Sequence, residues 1–213
     1  STGGYGSGEA GFSSNGGVNW QTLAGQDMVF YEGQYQWYEL STAASSGVAV
    51  YGLNRTCQTF TPAKAHYLDY VGLYLYRAGY PKYTLTVSLY GVNGFHQPAG
   101  PALASTTFAT TSLTRTATLY YFRFPVGCEV SAGTEYALVV SGNGGDAYNR
   151  ALVRIYSKAS VYAAGQRGSS IDGGATWTMA STQDVAFLEG QSYWFDSFTM
   201  NNAGFDVYGA NSV

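Results

Sequence analysis

The chain has 213 residues, of which only 11% are charged, and its formal net charge is −3 at pH 7. This balance excludes the basic surface of a nucleic-acid-binding domain and a polybasic membrane patch. Glycine (28 residues) and tyrosine (20 residues) are abundant; this composition favours strands and tight turns over helices, and no apolar run is long enough to cross a membrane.

One stretch of sequence occurs twice. Residues 27–38 are DMVFYEGQYQWY and residues 184–195 are DVAFLEGQSYWF, an offset of 157 residues. At this offset residues 1–56 align with residues 158–213 without a gap and share about 20 positions, and such self-similarity at a fixed period predicts a repeat array. We therefore expect the end of a preceding unit in residues 1–33, a complete unit in 34–190 and the start of a following unit in 191–213.

Two turn signals are related by the same offset. Residues 15–20 are NGGVNW and residues 172–177 are DGGATW. Asn-Gly and Asp-Gly pairs supply the positive φ of a tight hairpin, so a turn between two strands is predicted at each place. The apolar residues 28–31 predict a further strand, which Glu32 and Gly33 should close.

The complete unit shows strand patterns along its length. Strands are predicted at 48–52 and 56–61, the second ending at Pro62. In residues 70–76 and 84–90 aliphatic side chains alternate with polar, aromatic or glycine positions, as in a sheet that covers a core on one face. A loop is predicted at 91–101, strands at 108–111 and 116–124 with Pro125 ending the latter, a central strand at 136–141, a turn at 142–146 and a strand at 152–156. This pattern predicts an all-β antiparallel sandwich.

Several short motifs occur in a recognisable order. They are QTFTP at 58–62, TVSLY at 86–90, SAGTEYALVV at 131–140, SIDGGATW at 170–177 and DVAF at 184–187. In this order they resemble the jelly-roll β-sandwich repeat modules of large secreted and cell-surface proteins of bacteria and archaea, and of some phage structural proteins. The resemblance implies a jelly-roll-like sandwich, similar to a carbohydrate-binding module, that has no catalytic activity.

No group of residues predicts catalysis. His66 and His96 have neither a neighbouring nucleophile nor metal-ligand spacing, and we expect both in surface loops. Calcium is the one cofactor to consider, with Asp172, Asp184 and Asp146 as candidate ligands. We favour the alternative that Asp172 serves its turn and Asp184 caps a strand end through backbone amides.

The cysteines and one asparagine allow covalent modification. Cys57 and Cys128 have no neighbouring metal ligands, so they predict either one disulfide, formed in an oxidising compartment, or two buried free thiols. Asn54 begins the acceptor sequence Asn-Arg-Thr for N-glycosylation, which the copy at Asn211 lacks.

Tyrosines on the polar side of predicted strands indicate a contact surface. Tyr74, Tyr76 and Tyr90 share this parity, so their rings should point outward, either as an interface between units, which we favour, or as a stacking platform for polysaccharide. The residues expected at the junction between units recur at the repeat offset and are Trp37, Tyr51, Trp194 and Tyr208.

Together these features predict a non-enzymatic structural protein, extracellular or on a cell surface, whose units build a fibre, stalk, sheath or surface filament through contacts with neighbouring copies. Two alternatives remain open: a glycan-binding adhesin module, and a phage or virion fibre or capsid-associated protein. Neither nucleic acid nor insertion into a membrane is expected.

Overall fold

The structure of the protein is a computed structural model that describes residues 10–12, 19, 21–23, 33–158 and 162–194. In these residues it contains strands, one short 3-10 turn at Thr110–Ser112 and no α-helix, and no helix that could cross a membrane. The strands are β1 (Ala10–Phe12), β2 (Gln21–Leu23), β3 (Gly33–Ser41), β4 (Ser46–Val50), β5 (Arg55–Phe60), β6 (His66–Ala78), β7 (Thr84–Val92), β8 (Pro98–Ala109), β9 (Thr118–Val130), β10 (Tyr136–Gly142), β11 (Arg150–Tyr156), β12 (Arg167–Ser170), β13 (Thr178–Ala180), β14 (Asp184–Val185) and β15 (Phe187–Trp194).

Two sheets build the compact unit of residues 35–192. The six-stranded sheet has the order β13-β12-β5-β10-β7-β8. The seven-stranded sheet has the order β14-β11-β6-β15-β3, with β4 on the edge of β11 and β9 on the edge of β6. The two antiparallel sheets pack against each other, which confirms the predicted all-β sandwich. The second unit comprises the two ends of the chain, and within it the structure describes the hairpin of β1 and β2.

Alternation along consecutive strands creates the core. β6 and β7 lie in different sheets, and their aliphatic side chains meet in one buried cluster. Because burial of one such side chain contributes about 1.5–3 kcal/mol, these two strands supply much of the driving force for folding. The aliphatic residues concerned are at most 1% exposed and are Val71, Leu73, Leu75, Leu85, Val87 and Leu89. The predicted central strand is also confirmed, since β10 lies between β5 and β7.

β5 ends at Phe60, just before Pro62, as predicted, but three later prolines lie within strands. β8 already begins at Pro98 and runs through Pro101, so the predicted loop 91–101 shrinks to residues 93–97. β9 runs through Pro125 to Val130. β8 pairs only with β7, and β9 pairs only with β6, among the described strands. Proline is tolerated on such strands because one side of the strand needs no backbone N–H for pairing.

The first and last strands of the compact unit are neighbours. β15 pairs with β6 on one edge and adjoins β3 on the other. Gly33 therefore opens a strand instead of closing one, which corrects the prediction, while residues 28–31 lie outside the described residues. Each copy of the Glu-Gly-Gln motif lies at one of these strands. Gly33 of the first copy opens β3, and Gly190 of the second copy lies within β15.

Candidate functional site

Strands flank both predicted turns, and they pair in the same register. β1 and β2 place Ala10 opposite Leu23, while β12 and β13 place Arg167 opposite Ala180. The offset of 157 residues carries each partner of the first pair onto a partner of the second. The two copies of the sequence thus form hairpins with the same strand pairing.

The turn of the second hairpin is held by Asp172. Its carboxylate accepts hydrogen bonds from the backbone N–H of Thr176 at 3.0 Å, from the Thr176 hydroxyl and from Ser170 Oγ at 2.7 Å. These bonds stabilise the charged form and keep the pKa of Asp172 well below its usual value. Gly173 and Gly174 follow with φ of 76° and 90°, a conformation that side chains disfavour.

The three aspartates considered for calcium do not come together. Asp184 lies in β14 and accepts hydrogen bonds from Gln58 Nε2 at 3.2 Å and from the backbone N–H of Tyr162 at 3.1 Å. Asp146 lies in the turn between β10 and β11, where the backbone N–H of Tyr148 binds it at 2.6 Å. In the part of the chain that the structure describes, no group of three or more acidic, histidine or cysteine side chains is arranged to hold a metal ion. These carboxylates serve as local hydrogen-bond acceptors.

His66 forms a buried pair with Glu189. Nε2 of His66 lies 2.8 Å from Oε2 of Glu189, and the two side chains are 1% and 0% exposed. Burial opposes the charged imidazole, but the hydrogen bond and charge of Glu189 outweigh it and raise the pKa of His66. Burial also raises the pKa of Glu189. The prediction of a surface loop was wrong for His66, because β6 begins at this residue and carries it into the interior.

Tyr38 and Glu39 of β3 contact His66 and its surroundings. The ring of Tyr38 stacks on His66 with centroids 3.8 Å apart. The Glu39 carboxylate accepts hydrogen bonds from the backbone N–H of Ala63 at 2.9 Å and from the Tyr162 hydroxyl at 2.8 Å. Burial, followed by the bond to Glu39, raises the pKa of Tyr162. Side-chain contacts therefore fasten β3 to the sandwich in addition to its place beside β15.

Four aromatic rings from three strands form a cluster on the seven-stranded sheet, which we call the aromatic platform. It consists of Tyr35 and Trp37 on β3, Tyr70 on β6 and Tyr121 on β9. Tyr35 stacks on Tyr70 at 4.3 Å, and Trp37 lies 5.9 Å from Tyr121 with ring planes 16° apart. Tyr35 and Tyr121 are 46% and 49% exposed, so this cluster reaches the surface.

The tyrosines predicted to share a surface do not share one. Tyr74 and Tyr76 lie on β6 in the seven-stranded sheet, whereas Tyr90 lies on β7 in the six-stranded sheet. All three are partly exposed. Parity along a strand predicts the face of each side chain but not the sheet to which the strand belongs. This is why the prediction missed Tyr35, Tyr70 and Tyr121, which the pairing of distant strands brings together.

A cleft lies among the loops at one end of the six-stranded sheet. Its volume is about 560 Å³, and its lining includes His96, Glu135, Thr61, Gln166 and Ser181. Nδ1 of His96 lies 2.6 Å from Oε2 of Glu135. His96 has φ of 61°, at the end of the turn that joins β7 to β8. Its exposed position in a loop matches the prediction for this histidine.

The two cysteines are free thiols. Cys57 is buried in β5 of the six-stranded sheet, and Cys128 is half-buried in β9 of the seven-stranded sheet. Burial raises the pKa of Cys57 to about 12 and also raises that of Cys128. The structure does not join the two cysteines that were candidates for a disulfide.

The glycosylation candidate lies immediately before β5. Asn54 is half-buried and forms an isolated bridge with Tyr51. Thr56 of the acceptor sequence is fully buried, and its hydroxyl donates a hydrogen bond to the Gly168 carbonyl at 3.0 Å. The acceptor threonine is thus part of the folded interior.

The junction candidates fall in three places. Trp37 belongs to the aromatic platform, and Tyr51 follows β4. Trp194 is the last residue of β15, and Tyr208 lies outside the described residues. Whether these residues form a junction stays a prediction.

Neither a scan against models of known protein families nor a search of curated proteins found a match to the chain. The likeness to jelly-roll modules of surface proteins therefore remains a resemblance in sequence motifs. The class that the fold itself defines is the all-β antiparallel sandwich.

Proposed function

We propose that the protein is a non-enzymatic structural protein, extracellular or on a cell surface, in which β-sandwich units follow one another every 157 residues to build a fibre, stalk, sheath or surface filament. The extracellular location rests on the resemblance to modules of secreted proteins. The repeat rests on the sequence offset, and the matching register of the two hairpins supports it.

The observation that carries the proposal is the position of β3 beside β15. The repeat offset carries residues 33–41, which form β3, onto residues 190–198, and β15 already contains residues 190–194. The strand that completes one unit therefore resembles the strand that begins the next: residues 33–37 are GQYQW and residues 190–194 are GQSYW. Because β6 and β3 already occupy both edges of β15, we propose that residues 187–194 complete one unit and that the next unit begins directly after them, with the residues equivalent to 38–41, so no linker separates the two units.

A strand that continues from one unit directly into the next, which we call a shared strand, makes a stiff junction. Two domains that are joined by a flexible linker move independently, whereas units that bury a common strand are coupled as nearest neighbours of a linear array. The two residues that attach β3 keep their chemical type at the repeat offset: the aromatic Tyr38 corresponds to Phe195, and the acidic Glu39 corresponds to Asp196. A second unit could thus hold its first strand by the same aromatic and acidic side chains.

A chain of four units tests the proposal. In the test chain residues 34–190 are repeated four times in direct succession, which keeps the period and shares each strand. In the control, residues 34–194 are repeated four times with flexible glycine-serine linkers of about ten residues, so every unit has its own strand. Negative-stain electron microscopy should show straight rods for the test chain and bent strings of beads for the control. Equal flexibility of the two chains would contradict the shared strand.

A further inference from the structure

We propose that the aromatic platform of Tyr35, Trp37, Tyr70 and Tyr121 binds a neutral polysaccharide of pyranose sugars. This binding function is additional to the structural function above and does not depend on it, because all four rings lie within the compact unit of residues 35–192.

Strand pairing brings the rings of the platform together. Gly190 of β15 pairs with Tyr70, and the ring of Tyr35 on the next strand stacks on that of Tyr70. On the other edge of β6, Gly72 pairs with Tyr121. Gly190 also lets the backbone of β3 approach β15 closely, which carries Tyr35 and Trp37 toward β6. The platform is therefore built on strands and does not depend on a loop.

The rings hold one another in place. Tyr35 contacts Trp37 at 6.0 Å and Tyr121 at 6.2 Å, with ring planes 28° and 13° apart. Burial raises the pKa of Tyr70 to about 12, and a hydrogen bond with Tyr35 adds to the effect. Rings that are already fixed lose little conformational entropy when a ligand binds.

The rim of the platform is polar and balanced in charge. Arg123 stands opposite Tyr70 in the pairing of β6 and β9, and its side chain is 60% exposed. Its Nε lies 3.9 Å from Oδ2 of Asp69, whose carboxylate also accepts a hydrogen bond from the backbone N–H of Ser192 at 2.8 Å. A sugar presents an apolar ring face and hydroxyl groups at its edge, which fits aromatic rings beside donors and acceptors of no net charge.

The exposed area favours a saccharide over a protein partner. The exposed fraction is about half for Tyr35 and Tyr121 and is smaller for Trp37 and Tyr70. The platform therefore offers roughly 300 Å² of aromatic surface to a ligand. A stable protein interface buries about 800 Å² on each partner. A protein would also have to desolvate the pair of Arg123 and Asp69, whereas a sugar can replace water around it with hydroxyl groups.

Native gels that contain hydroxyethyl cellulose, xylan or galactomannan test the proposal with the full chain. We expect at least one of these polymers to retard the protein. Tyr121→Ala should weaken binding by about tenfold, as measured by the polymer concentration that halves migration, because it removes one exposed stacking ring. Tyr121→Phe should bind like the unmodified chain, since it keeps the ring.

Tyr148→Ala is the matched control, because Tyr148 is 83% exposed and lies outside the platform. It should leave retardation unchanged, and circular dichroism should show the same folded signal for all variants. The proposal is overturned if none of the three polymers retards the chain, or if Tyr121→Ala and Tyr148→Ala behave alike. It is also overturned if Tyr121→Ala dissociates an oligomer in sedimentation without affecting retardation, since the rings would then be a protein interface.

Discussion

Nε2 of His66 and Oε2 of Glu189 lie 2.8 Å apart in the interior of the sandwich, 123 residues apart in the chain. The pair links the first residue of β6 to β15, and the Tyr38 ring of β3 covers His66. An ionisable pair in this position makes the attachment of the first and last strands sensitive to pH.

The free energy of unfolding should fall as the pH rises through the range in which His66 and Glu189 lose their protons. The folded-state pKa of His66 lies above its ordinary value of 6.5, so its contribution is complete below that pH and is lost as pH rises through the folded value. Glu189 has a raised pKa as well, so the folded chain binds more protons than the unfolded chain does, and the sign is the same. Urea unfolding between about pH 6 and about pH 9 measures this slope. The double variant His66→Phe with Glu189→Leu should reduce the slope, and an unchanged slope would exclude the pair as its source.

Replacement of His66 alone should be more damaging than replacement of the pair. His66→Phe keeps a ring against Tyr38 but leaves the Glu189 carboxylate buried without its imidazole. We expect a loss of about 3 kcal/mol in the free energy of unfolding at neutral pH, with partial recovery in acid, where Glu189 is protonated. The double variant with Glu189→Leu should regain most of this loss, because a buried ion pair can be exchanged for apolar side chains at little cost. Equal losses in the single and double variants would show that packing alone is responsible.

Gly190 should tolerate no side chain. A Cβ at this position would lie 2.0 Å from the carbonyl oxygen of Gln36 on β3, so β3 and β15 would have to separate. Gly190→Ala should lower the free energy of unfolding by about 2 kcal/mol in urea titrations. Gly94→Ala is the control, since a Cβ there meets nothing within 4 Å. If the two variants were equally stable, the close approach of β3 to β15 would be wrong.

The thiols should differ in reactivity. Cys57 is 0% exposed and its pKa is raised to about 12, so almost no thiolate forms at neutral pH. Cys128 is only half-buried, and an aromatic disulfide reagent should modify it first in the native protein. Two thiols should react after denaturation without a reductant. A count of zero would establish a disulfide.

The alternation of side chains was enough to predict the strands that form the core. β6 and β7 were found from sequence because each has an aliphatic face that must be buried, and β10 was found because nearly all of its residues are apolar. The ends of strands were less predictable. Pro98 was expected in a loop and Pro125 at the end of a strand. Proline is excluded only where both edges of a strand are paired, and a single sequence does not reveal which strands lie at an edge.

The buried His66–Glu189 pair and the aromatic platform could not be predicted, because the alternation of side chains does not determine contacts between distant strands. His66 stands at the start of a strand pattern, where burial cannot be distinguished from a loop, and its partner Glu189 is far away in sequence. The aromatic platform likewise requires the order of β3, β15, β6 and β9 in the sheet. The repeated Glu-Gly-Gln sequence does lie at β3 and at β15, although the sequence did not show that these two strands are neighbours.

The central claim is that successive units share one strand, and a distance between equivalent positions in two units tests it most directly. In a chain with residues 34–190 in direct tandem, Cys128→Ser removes the accessible thiol, and Tyr148→Cys places a spin label on an exposed residue of each unit. Pulsed electron paramagnetic resonance should give one narrow distribution of distances between the spin labels. A broad distribution, equal to that of a control in which a flexible linker separates two complete strands, would contradict the shared strand.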